Sequence, residues 1–165
     1  ATIAIADHVG PVYLRFGRPK VPIFIPEDTP FEIGKALLLQ EGTDVSIFAT
    51  GHLVWEAVEA AKSLAEEGIS VELINIHTIK PLDNESILSS VSKTKCVVTA
   101  EEHQIAGGMG ESIAQLLANN NPSPIEFVAV NDKFGESGKP ADLMKKYGLH
   151  SSDIIKATHR VLKRK

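Results

Sequence analysis

Between residues 45 and 130 the chain switches repeatedly between two hydrophobic periods, and this alternation limits the fold more than any single residue does. "VSIFAT" (45–50) is apolar or β-branched almost throughout and stops at Gly51. A run of that kind reads as a strand buried on both faces. "HLVWEAVEAAKSLAEEG" follows, with Val54, Ala57, Val58, Ala61, Leu64 and Ala65 at helical spacing and Gly68 at its end. "ISVELINI" (69–76) is the next strand, and "PLDNESILSSV" a helix capped by Asp83 or Asn84. "CVVTA" (96–100) is a strand, 108–119 a helix and "IEFVAV" (125–130) a strand. Two helices close the chain, at 139–147 and 151–163, the second capped by Ser151 or Ser152.

Strand–helix–strand repetition requires right-handed crossovers. It therefore predicts a three-layer α/β/α domain, with a mostly parallel sheet between helices. One earlier strand lies within "KALLLQEG", at 35–40, only a short link before the strand at 45. No crossover fits so short a link, so the two are expected to form an antiparallel hairpin at a sheet edge. The first residues do not belong to this pattern. "ATIAIADHVG" reads as the end of a helix and "PVYLRFGR" as a strand with no nearby partner. Pro19, Pro22, Pro26 and Pro30 then mark an extended connector. The expected organisation is a tail of a preceding domain at 1–18, a linker at 19–30 and an α/β domain at 31–165. The chain is then either a piece of a longer protein or one subunit of a divided enzyme.

With 165 residues and 43% apolar content the chain can bury one sizeable core. Its net charge is −4, and its one basic run, Lys163-Arg164-Lys165, reads as a solvated end rather than a nucleic-acid patch. No apolar run reaches membrane-spanning length, and no secretory signal pattern is present. Cys96 is the single cysteine and sits in an apolar run. It reads as a core thiol, and a chain without a disulfide framework fits a cytoplasmic location.

Three places invite chemistry. "GGMGES" offers Gly108 and Gly110 before a helix, but Ile113 breaks the dinucleotide fingerprint and no Gly-Lys-Ser/Thr follows. Glu101, Glu102 and Glu111 flank the turn; acids suit a helix N-terminus but repel a phosphate there. A tight structural turn is the favoured reading. Glu101, Glu102 and His103 stand just past a strand end, where ligands of parallel sheets bind. They are either an acid/base cluster or ordinary structural hydrogen bonds. Arg15 and Arg18 alternate with apolar residues in "YLRFGRP". Arg18 is either a bidentate clamp for a carboxylate or phosphate or a surface salt bridge. The histidines at 8, 52, 77, 103, 150 and 159 lack zinc-ligand spacing, and Ser137 in "GESGKP" has no strand before it to make a nucleophile turn.

Several longer segments resemble the C-terminal part of transketolase, in order along the chain. They are "GPVYLRFGRP", "DVSIFATGHLVWEAVEAAKSLAEEGISVELINIHTIKPLD", "VTAEEHQIAGGMGESI" and "FGESGKPADLMKKYGL". Two sister families share this domain, 1-deoxyxylulose-5-phosphate synthase and the 2-oxoacid dehydrogenase beta subunits. The ending "SGKPADLMKKYGL" favours transketolase over both. The resemblance implies a thiamine-diphosphate enzyme, with Mg²⁺, that moves two-carbon ketol units between sugar phosphates. It implies a homodimer of three-domain protomers, with the cofactor between the first two domains. Residues 1–18 would then be the end of the pyrimidine-binding domain, and the N-terminal domains or subunit the partner. It assigns this chain no catalytic, cofactor or metal residue, and the chain alone is expected to be inactive. It matches Arg18 to the arginine that contacts the substrate phosphate. If Arg18 does not reach substrate, the chain is an assembly module alone.

Overall fold

A computed structural model describes residues 1–17 and 20–165. After a short helix, α1 (Thr2–Ala6), an irregular segment leads to a five-stranded sheet. Its elements run β1 (Leu37–Gln40), β2 (Val45–Ala49), α2 (Leu53–Glu66), β3 (Val71–Asn75), α3 (Asn84–Thr94) and β4 (Val97–Gln104). Next come α4 (Met109–Asn120), β5 (Ile125–Val130), α5 (Pro140–Lys146) and α6 (Ser151–Leu162). The strand order is β1-β3-β2-β4-β5. The last four strands are mutually parallel, and β1 alone is antiparallel.

The alternation of side chains along β2 shows why both sheet faces are covered. Val45, Ile47 and Ala49 join Val71, Leu73, Val98 and Val128 under α2 and α6, which supply Leu53, Ala57, Leu64, Ile154, Ala157 and Val161. Phe48 points the other way, with Ile74, Ile76 and Val97, against Ile87 and Val91 of α3 and Met109, Ile113 and Leu117 of α4. Every residue of β2 is buried, as the unbroken apolar run predicts. The three-layer α/β/α reading is therefore correct. Among the described residues no helix is long and apolar enough to cross a membrane.

The predicted pairing of the first strand is wrong. β1 lies at an edge and is antiparallel, but it pairs with β3 rather than with β2 (Leu37 opposite Asn75, Leu38 opposite Ile74). The link between β1 and β2 crosses the start of β3. The amides of Thr43 and Asp44 donate to the Ser70 carbonyl at 3.2 and 2.8 Å. Gly42 lies so close to the Val71 backbone that a Cβ would collide with it. This crossing leaves both edges of β2 free for parallel partners. β1, whose residues are alternately half-buried and exposed, takes the outer place.

Two further expectations are corrected. Residues 11–17 of "PVYLRFGR" form no strand, because nothing in the described chain pairs with them; Arg18 lies outside the described residues. The cap of α6 is His150 rather than Ser151 or Ser152, in a reciprocal capping box with Asp153. Glu56 on α2 accepts the Ser151 amide at 2.8 Å, which draws that residue into the first turn.

Polar groups inside the domain are paired. The Ser46 hydroxyl meets those of Ser90 and Thr94, each at 2.6 Å. Glu72, buried, is bridged by Lys93 and accepts the Gly42 amide at 3.4 Å. Burial alone would raise the Glu72 pKa, but the hydrogen bonds from Lys93, Ser90 and Gly42 hold it below the usual value. Cys96 is fully buried, and burial pushes its thiol up.

Asp83 ties the loop before β1 to α3. As the cap of α3 it accepts the amide and hydroxyl of Ser86 at 3.2 and 2.8 Å, and it also accepts the Ala36 amide at 2.8 Å. Burial raises its pKa, but these donors, together with Lys35, outweigh burial and lower it. Asp83→Ala removes a cap and leaves a part-buried amide unpaired, so it is expected to cost about 2–4 kcal/mol in chemical denaturation. A folded-state pKa below the unfolded value means stability that is complete above the ordinary carboxylate value of about 4. That stability is lost as pH falls through the lower folded value. Asp83→Asn should therefore flatten the acid limb of the stability–pH curve, and an unchanged limb would contradict the assignment.

Candidate functional site

The crossovers decide where a site forms. From β2 the chain passes through α2 to β3 on one side, and from β3 through α3 to β4 on the other side of β2. These two connections lie on opposite sheet faces. The order therefore reverses between β2 and β4, and parallel sheets bind ligands in the crevice beyond the strand ends at such a point. Thr50, Gly51 and His52 leave β2 there, and Glu101, Glu102 and His103 occupy the end of β4.

The acidic cluster read from the sequence separates into two functions, because successive strand residues face opposite sides. Glu101 turns towards α4 and is 1% exposed. Its two carboxylate oxygens accept the amides of Met109 and Gly110, both at 2.7 Å. His103, on the same side, places Nδ1 3.6 Å from Glu101. The glycine turn is shaped around this carboxylate. A Cβ at Gly108 would stand 2.6 Å from Glu101, and one at Gly110 would stand 2.6 Å from the Thr99 hydroxyl. Glu111 also accepts the Gly107 amide. The amides at the start of α4 are thus occupied by the protein's own acids, as the structural reading of "GGMGES" requires.

Glu102 faces the crevice and accepts a hydrogen bond from His52 Nδ1 at 2.9 Å. Since an ionised carboxylate only accepts, Nδ1 carries the ring proton. Gly51, at φ +61°, makes the bend that lifts His52 to this place. The sequence reading passes over His52, considering it only as a metal ligand. Its place two residues after Thr50, at the end of the first parallel strand, is the signal that would have found it.

The N-terminal segment covers the crevice. Gly17 lies so close to the His52 ring that a Cβ would collide with its Cε1 and Nε2. Phe24 packs on Trp55 with centroids 5.5 Å apart, and Phe31 on His77 at 4.4 Å. Burial lowers the His77 pKa, favouring the neutral ring. Between this segment and the strand ends is a cavity of about 610 Å³, reached by Arg15, Thr50, His52, Asn75, His77 and Glu102. Among the described residues no three His, Cys, Asp or Glu side chains are grouped so as to hold a metal.

Comparison with known proteins places this geometry in a family. The family model "Transketolase, C-terminal domain" matches residues 34–154. The 6-deoxy-6-sulfo-D-fructose transketolase subunit SqwH of Clostridium sp. (strain MSTE9) is 46% identical over 161 residues, covering 98% of this chain and 50% of that protein. An apulose-4-phosphate transketolase subunit of Phocaeicola vulgatus is 34% identical, over 97% of this chain and 51% of its own length. Among solved structures, a split-gene transketolase described as an inactive β4 tetramer superposes with a TM-score of 0.92 at 43% identity, covering 96% of this chain and 52% of that one. The chain therefore spans about half the length of these relatives. On these matches the chain belongs to the transketolase C-terminal domain family.

Proposed function

We propose that this chain is the C-terminal portion of a thiamine-diphosphate-dependent transketolase, acting in the cytoplasm on sugar phosphates. The N-terminal domains, on the same chain or on a partner subunit, complete the protomer, and protomers pair as dimers. The observation that carries the reading is the likeness to transketolase subunits over nearly the whole chain. In the complete enzyme, thiamine diphosphate supplies the carbanion chemistry of ketol transfer. Residues 1–18 then end the pyrimidine-binding domain, 19–30 link it to the domain at 31–165, and Arg18 contacts the substrate phosphate.

The start of α4 does not fit the cofactor's diphosphate. A diphosphate needs donors and its Mg²⁺ needs oxygen ligands. Here the paired amides at the start of α4 are taken by Glu101, whose carboxylate would repel a diphosphate. This supports placing the cofactor on the N-terminal domains, and no catalytic residue is assigned to this chain. What the chain contributes is assembly and a guanidinium. A fork of N–H donors holds a terminal phosphate in bidentate fashion and fixes the extended sugar along the site.

Assembled with the N-terminal domains, the protein is expected to transfer ketol units only when thiamine diphosphate and Mg²⁺ are present. Calorimetric titration of this chain alone with both should show no binding; micromolar binding would overturn the domain assignment. Arg18→Ala in the assembled enzyme should raise KM for phosphorylated sugars and lower kcat/KM about tenfold to a hundredfold. Lost kcat with unchanged KM would contradict a phosphate contact. Since one relative is named for a sulfonated ketose, the same kinetics with a sulfonated ketose beside a phosphorylated one test which terminal anion is preferred. Phosphate is the expected answer.

A further inference from the structure

We infer that His52 and Glu102 are positioning residues that set the height and register of the segment carrying the substrate-anion arginine. The inference rests on the reading of Arg18 as the phosphate contact. It starts from a close approach. Gly17, the residue before Arg18, lies directly on the His52 imidazole with no space for a side chain. The ring is therefore the floor on which the backbone at residue 17 rests. That floor is itself held, because Nδ1 donates to Glu102 at 2.9 Å while Cε1 and Nε2 meet Gly17. Both side chains are about four-fifths buried. Glu102 is in turn fixed by β4, whose neighbouring residue Glu101 is anchored in the start of α4.

Among the described residues, 11–17 make no ladder hydrogen bonds, and the stack is where residue 17 meets the strand ends. A guanidinium acts on a phosphate only within hydrogen-bond reach, and a displacement of about 1 Å is enough to lose a productive geometry. The Gly17–His52–Glu102 stack gives the C-terminal domain a route into substrate binding without touching substrate. It also explains why residue 17 has no side chain, although its neighbours in "YLRFGRP" are large.

The test uses the assembled enzyme, with Arg18→Ala as the reference, and compares a phosphorylated acceptor with a small unphosphorylated aldehyde. His52→Ala, Glu102→Ala and Gly17→Ala should each raise KM for the phosphorylated acceptor about fivefold, with kcat within about twofold and KM for the unphosphorylated aldehyde unchanged. Glu102→Gln, whose amide oxygen still accepts from Nδ1, should restore most of the wild-type KM. The double variant Gly17→Ala/His52→Ala should be no worse than the worse single variant, because removing the ring makes room for the new methyl. The inference is overturned if Arg18→Ala raises KM while His52→Ala and Glu102→Ala leave it unchanged. It is also overturned if KM rises equally for both acceptors, or if the Gly17 and His52 effects simply add. If Arg18→Ala itself leaves KM unchanged, the phosphate-contact reading falls first, and the inference falls with it.

Discussion

Burial of β2 on both faces and along both edges is the constraint from which the rest of the domain follows. A strand of that kind needs a parallel neighbour on each side and a helical layer above and below. The right-handed crossovers that supply those neighbours run in opposite directions, from β2 through α2 to β3 and then from β3 through α3 past β2 to β4. That arrangement creates the reversal of strand order between β2 and β4, and with it the crevice beyond their ends. It also sends β1 to the outside of β3, with the 41–44 link crossing over the start of that strand. Burial of hydrophobic side chains on both faces thus determines where polar chemistry can gather at the strand ends.

At the crevice, the two-residue period of a strand divides adjacent acids between separate tasks. Glu101 points to the layer of α3 and α4 and satisfies two amides that a helix start leaves unpaired. Glu102 points to the other side and orients His52. A phosphate loop would leave the amides of Met109 and Gly110 open to a ligand; here an internal carboxylate occupies them. The turn is thus part of the scaffold that fixes β4, and through β4 the His52 ring.

Much of the fold is legible in the sequence because its signals are local. The 3.6-residue spacing from Val54 to Leu64, the apolar run 45–50 and the cap at Asp83 each reflect contacts made within a few residues or against a continuous face. The pairing of β1 is different. It depends on where the 41–44 link crosses β3, a contact between residues nearly thirty positions apart that no local period encodes. The α6 cap escapes a local reading for a similar reason, since Glu56 on a distant helix claims the Ser151 amide. In the candidate site, the strand-end location of Glu101, Glu102 and His103 is legible, but their separation to two faces needs the strand to extend to Gln104. His52 carries no motif. Only the topology, which puts the end of β2 beside that of β4, shows its place.

The central proposal is that this chain, as part of a transketolase, presents Arg18 to the substrate's terminal anion from a segment seated on the strand ends of its own sheet. A structure of the chain assembled with its N-terminal domains and a bound phosphorylated ketose tests this most directly. The account predicts the Arg18 guanidinium within hydrogen-bond distance of the phosphate, with Gly17 still seated on His52. A phosphate held wholly by the N-terminal domains, with Arg18 turned to solvent, would contradict it.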